Sequence, residues 1–286
     1  MIKSMKQFIK LWLVLTFTTS ALAQDKRVLL VGDSWAQFQF IDGSHERVFA
    51  ANGFSNIEVL GLLTTELGSQ ASDWVQPDQL QIIITELLAN DSIDTVQITL
   101  GGNDFLGNWT SGMPEVLMMA LQQQISNDLT ALIEAILLVN TDIEIILSFY
   151  DYPNFVDTIG GFTGELCRDK WEGLGEPSAF ELNSISTSFE MVYQQLAVDN
   201  PRVFQVDHLG LMQAFYGFPN DGIAPGQLLP PGDLNRPSPV ESMRDTLGIG
   251  IPDCFHLSPQ SHEYLVQNLF DGYFQQRFDT IFKSSF

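Results

Sequence analysis

The chain has 286 residues, with 13 Lys and Arg against 35 Asp and Glu, and a formal net charge of −22. So acidic a surface repels phosphate groups, which argues against nucleic-acid partners and against binding to anionic membranes. Hydrophobic residues make up 45% of the chain, which excludes a disordered protein and suffices for one large core.

The beginning of the chain is typical of an export signal, 1–23. Three lysines precede a short apolar run over 11–17, which is too short to span a bilayer. Ala21-Leu22-Ala23 then places small residues at the two positions that a signal peptidase reads. We therefore expect cleavage after Ala23 and export to the periplasm or the medium. No later segment reaches the ~20 apolar residues of a membrane helix, so no stable membrane span is expected.

Strand and helix patterns then alternate. Short apolar runs predict five strands, over 27–31, 56–63, 94–100, 142–150 and 202–206. Apolar residues at helical spacing predict helices over 37–51, 79–88, 114–139 and 179–197, and after Ser258-Pro259. This alternation predicts an α/β sandwich around a parallel sheet.

No internal repeat or interdomain linker divides the chain, so we expect a single domain over 24–286. Two Gly- and Pro-rich stretches, near 155–178 and 211–252, are predicted to be irregular insertions. The second is too long for a simple connection. Its aromatic residues around 215–218 suggest that it lines a substrate pocket or acts as a lid, and packing on the sheet edge is the alternative.

Two motifs fall where predicted strands end. Gly32-Asp33-Ser34 follows the first strand, and Gly101-Gly102-Asn103-Asp104 follows the third. Ligands of parallel sheets bind at the carboxyl ends of the strands. Ser34 is therefore a candidate nucleophile and the Asn103 amide a candidate donor, while the glycines would let a substrate approach the backbone.

A third motif supplies a base. Asp253 precedes His256 by three residues, just before the last predicted helix. A carboxylate at this spacing can fold back to hold Nδ1–H, which leaves Nε2 facing a nucleophile. A fourth motif contains Gly68, whose N–H is a candidate second donor, and Gly61 is a rival for that role.

These four motifs, in this order, resemble the four sequence blocks of the GDSL, or SGNH, hydrolase family. The resemblance spans Val31 to Ser258. It implies a flavodoxin-like three-layer α/β/α fold and a metal-independent serine esterase or lipase that uses no cofactor. It also implies a catalytic triad of Ser34, His256 and Asp253, with an oxyanion hole formed by the N–H groups of Ser34 and Gly68 and the side chain of Asn103.

The sequence departs from the family pattern at three points. Trp35 stands where the family name has Leu, Cys254 lies inside the block of Asp253 and His256, and the 211–252 insertion is long. The first two changes leave the chemistry intact, whereas the third leaves the substrate open. Cys167 and Cys254 form an even pair in a chain expected to be exported, which permits one disulfide between them.

The predicted activity is hydrolysis of a carboxylic ester through an acyl-enzyme. The substrate would be a small-molecule, lipid or carbohydrate ester, and no obligate protein partner is evident. A carbohydrate O-deacetylase using the same residues is one alternative. A non-catalytic binding module of the same fold is the other, although the presence of all four blocks argues against it.

Overall fold

One parallel sheet forms the centre of the molecule. The computed structural model describes residues 25–160, 165–245, 250 and 252–283, so the expected signal over 1–23 lies outside the described residues. The strands are β1 (Asp25–Gly32), β2 (Ile57–Leu60), β3 (Thr95–Thr99), β4 (Glu144–Ser148) and β5 (Val203–Val206). Their order in the sheet is β2-β1-β3-β4-β5, and every neighbouring pair is parallel.

Burial follows this order. All five residues of β3 are buried, because β1 and β4 flank it on both sides and helices cover both faces. The strands lie where the sequence predicts them, although β2, β3, β4 and β5 are shorter than predicted.

Helices flank the sheet and connect its strands. They are α1 (Ser34–Ile41), α2 (Ser44–Ala51), α3 (Ala71–Trp74), α4 (Pro77–Ala89), α5 (Gly102–Asn108), α6 (Glu115–Leu137), α7 (Glu165–Gly173), α8 (Ala179–Asp199), α9 (Leu211–Tyr216), α10 (Pro259–Leu269) and α11 (Gln275–Lys283). Within the described ranges, no helix is both long and apolar enough to cross a membrane.

The helices form two layers. In one, α10 packs on α1 and α2, while in the other α6 packs on α3, α4, α5 and α8. Rings from α2, from the helical turn between α10 and α11, and from α11 pack together in the first layer, and Phe49 lies 5.0 Å from both Phe274 and Phe278. The predicted three-layer α/β/α sandwich is thereby confirmed.

The structure corrects several predicted elements. The helix predicted over 37–51 is two helices, α1 and α2, because Gly43 adopts a left-handed φ of 63° between them. The stretches predicted to be irregular contain α7 and α9, and the loop after β3 continues into α5. These helices are short, so their sequences carry too few turns for a periodic pattern.

The sheet order creates a crevice at its carboxyl edge. The chain runs from β1 outward to β2 and then back across to β3, so β1 and β3 are neighbours whose following loops diverge. Such a switch point is where open α/β sheets bind their ligands. Ser34 follows β1 and Asn103 follows β3, so the two motifs face this crevice.

A disulfide ties α7 to the segment before α10. Cys167 of α7 is bonded to Cys254, with 5.8 Å between their Cα atoms and 87 residues between their positions. Cys254 stands between Asp253 and His256. The bond therefore fixes the loop that carries both candidate catalytic residues.

We expect no reactive thiol when the unreduced protein is unfolded in urea, and two after reduction. Because the bond closes a long loop in the unfolded chain, Cys167→Ser and Cys254→Ser should each lower the free energy of unfolding by about 4–5 kcal/mol. Denaturant titration of both variants checks this. Two free thiols before reduction would contradict the pairing.

A buried glutamate lies between α8 and β5. Oε1 of Glu190 accepts a hydrogen bond from Gln205, whereas Oε2 has no partner among the described residues. Burial, helped by the nearby charge of Asp207, raises the pKa of Glu190 to about 8. Folding therefore favours the protonated form of this side chain.

The raised pKa of Glu190 determines whether the stability of the protein rises or falls with pH. The folded state binds more protons at Glu190 than the unfolded state does between pH ~4.5 and about 8, so stability falls as the pH rises through that window. Glu190→Gln removes this titration, and we expect its free energy of unfolding to exceed that of the wild type at pH 9 by a few kcal/mol. Urea titrations at pH 5 and pH 9 measure the difference, with Glu134→Gln on the exposed face of α6 as control. A Glu190→Gln variant no more stable than this control at pH 9 would refute the prediction.

Candidate active site

Ser34 stands at the junction of β1 and α1. Asp33 caps α1, and its Oδ1 accepts the Trp35 N–H at 2.9 Å. Ser34 is the first residue of the helix, so its own N–H has no intrahelical partner and points out of the first turn. Its side chain stands at the crevice with 5% of the residue exposed. The strand-to-helix reversal thus presents both the hydroxyl and the N–H of Ser34.

Asp33 is held from a second direction. The Tyr150 hydroxyl donates to its Oδ2, and the Tyr150 ring stacks on Trp35 with centroids 4.5 Å apart. Burial raises the pKa of Asp33 to about 7, against the hydrogen bonds from Tyr150 and Trp35 that lower it. Asp33 therefore serves the loop backbone, and Trp35 packs where the family name has Leu.

The Asp253–His256 pair has the predicted local geometry. Oδ1 of Asp253 accepts the N–H groups of Phe255 and His256, at 2.9 and 2.7 Å. Oδ2 lies 2.6 Å from Nδ1 of His256. Burial alone would raise the pKa of Asp253, but the hydrogen bonds and charge of His256 outweigh it and the pKa lies below its ordinary value.

His256 reaches Ser34. Its Nε2 lies 2.9 Å from Oγ of Ser34. With Nδ1 bonded to a carboxylate that can act as acceptor, the proton of the neutral ring is placed on Nδ1 and Nε2 is left as the acceptor. The structure thus brings Ser34, His256 and Asp253 into one hydrogen-bonded chain.

Arg244 holds the loop of His256 and was not singled out from the sequence. Its N–H donates to the His256 carbonyl at 2.7 Å, and its carbonyl accepts the Asp253 N–H at 2.8 Å. The guanidinium pairs with Asp42 and lies 4.1 Å from the ring centroid of Phe38, which in turn packs edge-on against His256. The available signal was the small number of basic residues: with only 13 Lys and Arg in the chain, each one is a candidate for a structural role.

Gly68 offers an unbonded backbone N–H as a donor. It lies in the loop after β2 with a φ of 76°, and its N–H makes no hydrogen bond within the described part of the chain. The rival glycine serves packing instead: a Cβ on Gly61 would lie 3.1 Å from the Phe40 ring and 3.3 Å from Leu30. Gly61 therefore packs against neighbouring side chains, and Gly68 remains the candidate donor.

Asn103 is tied to the Gly68 loop. Its Nδ2 donates to the Ser69 carbonyl at 3.0 Å, which leaves the second amide hydrogen free for a ligand. The next residue reinforces the link, because Oδ2 of Asp104 accepts the Ala71 N–H at 3.0 Å. Burial raises the pKa of Asp104 to about 6. The two hydrogen bonds therefore hold the loops after β2 and β3 together.

The glycines of the third-strand motif do not have the role predicted for them. A Cβ on Gly101 would lie 2.2 Å from the Tyr193 hydroxyl, and one on Gly102 would lie 1.9 Å from the Tyr150 ring. Both residues face inward, so their small size admits two buried aromatic rings and not a substrate.

The other three histidines are buried and bonded to residues outside the candidate site. His45, His208 and His262 are buried, and they contact Gln97, Ser148 and Asp42 respectively. Burial lowers the pKa of His45 to about 4 and that of His208 to about 3, so both stay neutral at pH 7.

The aromatic residues of the 211–252 insertion divide between packing and a cavity wall. Phe215 stacks on Tyr264 of α10 at 4.1 Å, and the Tyr216 hydroxyl lies 2.9 Å from that of Ser261. These two therefore pack on α10. Phe218 lines a cavity.

No set of three or more His, Cys, Asp or Glu side chains converges as metal ligands within the residues that the structure describes.

Comparison with known proteins gives structural relatives and no sequence relatives. No protein-family model matches the sequence, and no curated protein matches it. A protein of Streptococcus pneumonia assigned as a platelet activating factor superposes with a TM-score of 0.54 at 17% identity, over 89% of this chain and 86% of that one.

Two further structures lie slightly lower. The lipase Lip_vut3 from a goat rumen metagenome has a TM-score of 0.49 at 13% identity, over 87% of this chain and 97% of that one. A carbohydrate esterase of family 3 from Talaromyces cellulolyticus has a TM-score of 0.49 at 13% identity, over 89% and 99%. At such identities the likeness shows the fold alone, and the structure with a TM-score above 0.5 shares the three-layer α/β/α sandwich.

Proposed function

We propose that the protein is a serine ester hydrolase of the SGNH type, with Ser34 as nucleophile. The observation that carries this proposal is the chain of contacts from Ser34 Oγ through His256 to Asp253, at 2.9 and 2.6 Å. A nucleophile, a base and a carboxylate that orients the base are the groups that acyl transfer requires.

The reaction follows from this geometry. As Ser34 Oγ bonds to the acyl carbon, its proton moves to Nε2 of His256, and the Asp253 carboxylate stabilises the resulting imidazolium. The tetrahedral intermediate collapses when the alcohol oxygen takes that proton and leaves, which forms the acyl-enzyme. Water then attacks the acyl carbon with His256 again as base, and release of the acid restores Ser34.

The negative oxygen of the intermediate needs hydrogen-bond donors that no other group occupies. Three are available: the N–H of Ser34 at the start of α1, the unbonded N–H of Gly68, and the free hydrogen of the Asn103 amide. The bond between Asn103 and the Ser69 carbonyl holds the last two in a fixed relation. We assign these three groups to the oxyanion hole.

The proposal extends to the class of substrate and to the location of the protein. A small-molecule ester is the proposed substrate, and no nucleic acid or obligate protein partner is invoked. We also propose that the protein acts outside the cytoplasm, in the periplasm or medium. The Cys167–Cys254 disulfide supports this, because such bonds persist in oxidising compartments.

Ser34→Ala is expected to lower kcat for 4-nitrophenyl acetate by a factor on the order of 10⁶, because it removes the attacking oxygen. The variant should also lose covalent labelling by a fluorophosphonate, followed by mass spectrometry of the intact protein. Ser126→Ala on α6, a helix that carries none of the candidate catalytic residues, is the matched control and should keep both properties. Near-normal turnover in Ser34→Ala would exclude this serine as the nucleophile.

Asn103→Ala is expected to lower kcat by about 10²–10³, with a smaller effect on KM, because its amide acts on charge that develops in the transition state. Asn108→Ala, at the other end of α5, keeps the amide of Asn103 and is the control. Steady-state kinetics with the same ester make the comparison. If Asn103→Ala raises KM and leaves kcat unchanged, Asn103 is not an oxyanion donor.

A further inference from the structure

Tyr150 lies between the beginnings of two helices that carry candidate catalytic groups. It follows β4 by two residues, and its side chain is buried. Its hydroxyl donates to Asp33, the residue that caps α1, and its ring stacks on Trp35 in the first turn of that helix, with centroids 4.5 Å apart. The same ring lies against Gly102, the first residue of α5, so closely that a Cβ there would overlap it. One side chain therefore contacts the residues beside the candidate nucleophile and beside a candidate oxyanion donor.

The motifs of Ser34 and Asn103 are held together from the β2 side of the crevice. The Glu66 N–H donates to the Gly32 carbonyl at 2.9 Å, and the Ser69 carbonyl accepts Nδ2 of Asn103 at 3.0 Å. Within the parts of the chain that the structure describes, no hydrogen bond joins α1 to α5 directly. The loop after β2 therefore restrains both motifs from its own side, and a second restraint can act from the side of β4.

Tyr150 supplies that second restraint. Because β3 lies between β4 and β1, this side chain reaches past the end of β3 to contact α1. We propose that Tyr150 is a positioning residue that fixes Ser34 relative to the Asn103 amide, and so aligns the nucleophile with one donor of the oxyanion hole. It acts through Asp33 on one helix and through Gly102 on the other, and it takes no part in the bond changes. This inference rests on the proposed ester hydrolysis.

Packing alone does not account for the Tyr150 hydroxyl. A Phe would fill nearly the same volume without burying a hydroxyl next to a carboxylate, and burying polar groups is costly. Burial raises the pKa of Asp33 to about 7 even with Tyr150 as a donor, so the carboxylate is kept there at a cost in desolvation. The hydrogen bond between them is directional, and it therefore restrains the start of α1 more closely than ring packing does.

The alignment matters in the transition state. The oxyanion carries its charge only once Oγ of Ser34 bonds to the acyl carbon, so the nucleophile and the Asn103 amide must fit the same tetrahedral group. A misplacement of about 1 Å can lower a rate by ~10². Loss of the Tyr150 restraint should therefore lower kcat and leave KM nearly unchanged, because the ground-state ester does not yet need this alignment.

The test is a double-mutant cycle with 4-nitrophenyl acetate. Tyr150→Phe keeps the ring and removes the hydroxyl, whereas Tyr150→Leu removes the ring as well. We expect kcat to fall by about tenfold in the first and by about 10²-fold in the second, with KM within about threefold of the wild type. In an Asn103→Ala background each loss should shrink to less than about threefold, because the donor that Tyr150 aligns is absent. Tyr152→Phe is the matched control: it removes a hydroxyl that donates to the Pro231 carbonyl at 3.0 Å, and it should change kcat by less than about twofold.

Losses that multiply in the double variants would show that Tyr150 stabilises the site without aligning these two groups, and would overturn the proposal. A wild-type kcat in Tyr150→Phe would overturn it too, and so would a raised KM with an unchanged kcat. Each of these results leaves the ester hydrolase standing as long as Ser34→Ala abolishes turnover and fluorophosphonate labelling. If Tyr150→Leu does not fold, the cycle of Tyr150→Phe with Asn103→Ala gives the same decision, since Phe retains the ring and its packing.

Discussion

The contact between Nε2 of His256 and Oγ of Ser34 joins two positions that are 222 residues apart in the chain. A hydrogen bond tolerates errors of a few tenths of an ångström, so both partners must be fixed independently. Ser34 is fixed by the sheet, because only Asp33 separates it from the end of β1. His256 precedes α10 in a loop, and a loop needs other restraints.

Three restraints of different kinds act on the loop of His256. Asp253 and His256 are paired through their backbones with Arg244, Cys254 is bonded to α7, and Ser258 caps α10 by accepting the Ser261 N–H. Each restrains a different part of the loop. The disulfide adds a covalent link from outside the sheet, and the described residues of the insertion before Asp253 include no strand of the sheet.

Buried carboxylates restrain the other loops at the carboxyl edge of the sheet. Asp33, Asp104 and Asp151 each accept backbone N–H groups that would otherwise be unpaired, and Asp151 binds those of Gly210 and Met212 at the start of α9. Burial raises the pKa of Asp33 and Asp151 to about 7 and that of Asp104 to about 6. Burying these carboxylates therefore costs desolvation free energy, which the hydrogen bonds from the N–H groups and the Tyr150 hydroxyl partly offset.

The sequence predicts those parts of the site that depend on local geometry. Ser34 and Asn103 were found because parallel strands end at one edge, and Asp253 with His256 because three residues make one turn. What it missed depends on distant partners: Tyr150 reaches Asp33 across 117 positions, and Arg244 packs on Phe38. The roles of Gly101 and Gly102 were misjudged for the same reason, since the rings that require small residues come from other strands and helices.

Different segments of the chain hold the oxyanion donors and the base of the candidate site. The bonds that fix the oxyanion donors, from Asn103 to Ser69 and from Asp104 to Ala71, involve no residue of the 211–252 insertion. The insertion instead meets the base, through Arg244 and Ser242. A change in the insertion can therefore alter what lies beside the leaving oxygen while the nucleophile and its oxyanion donors keep their places.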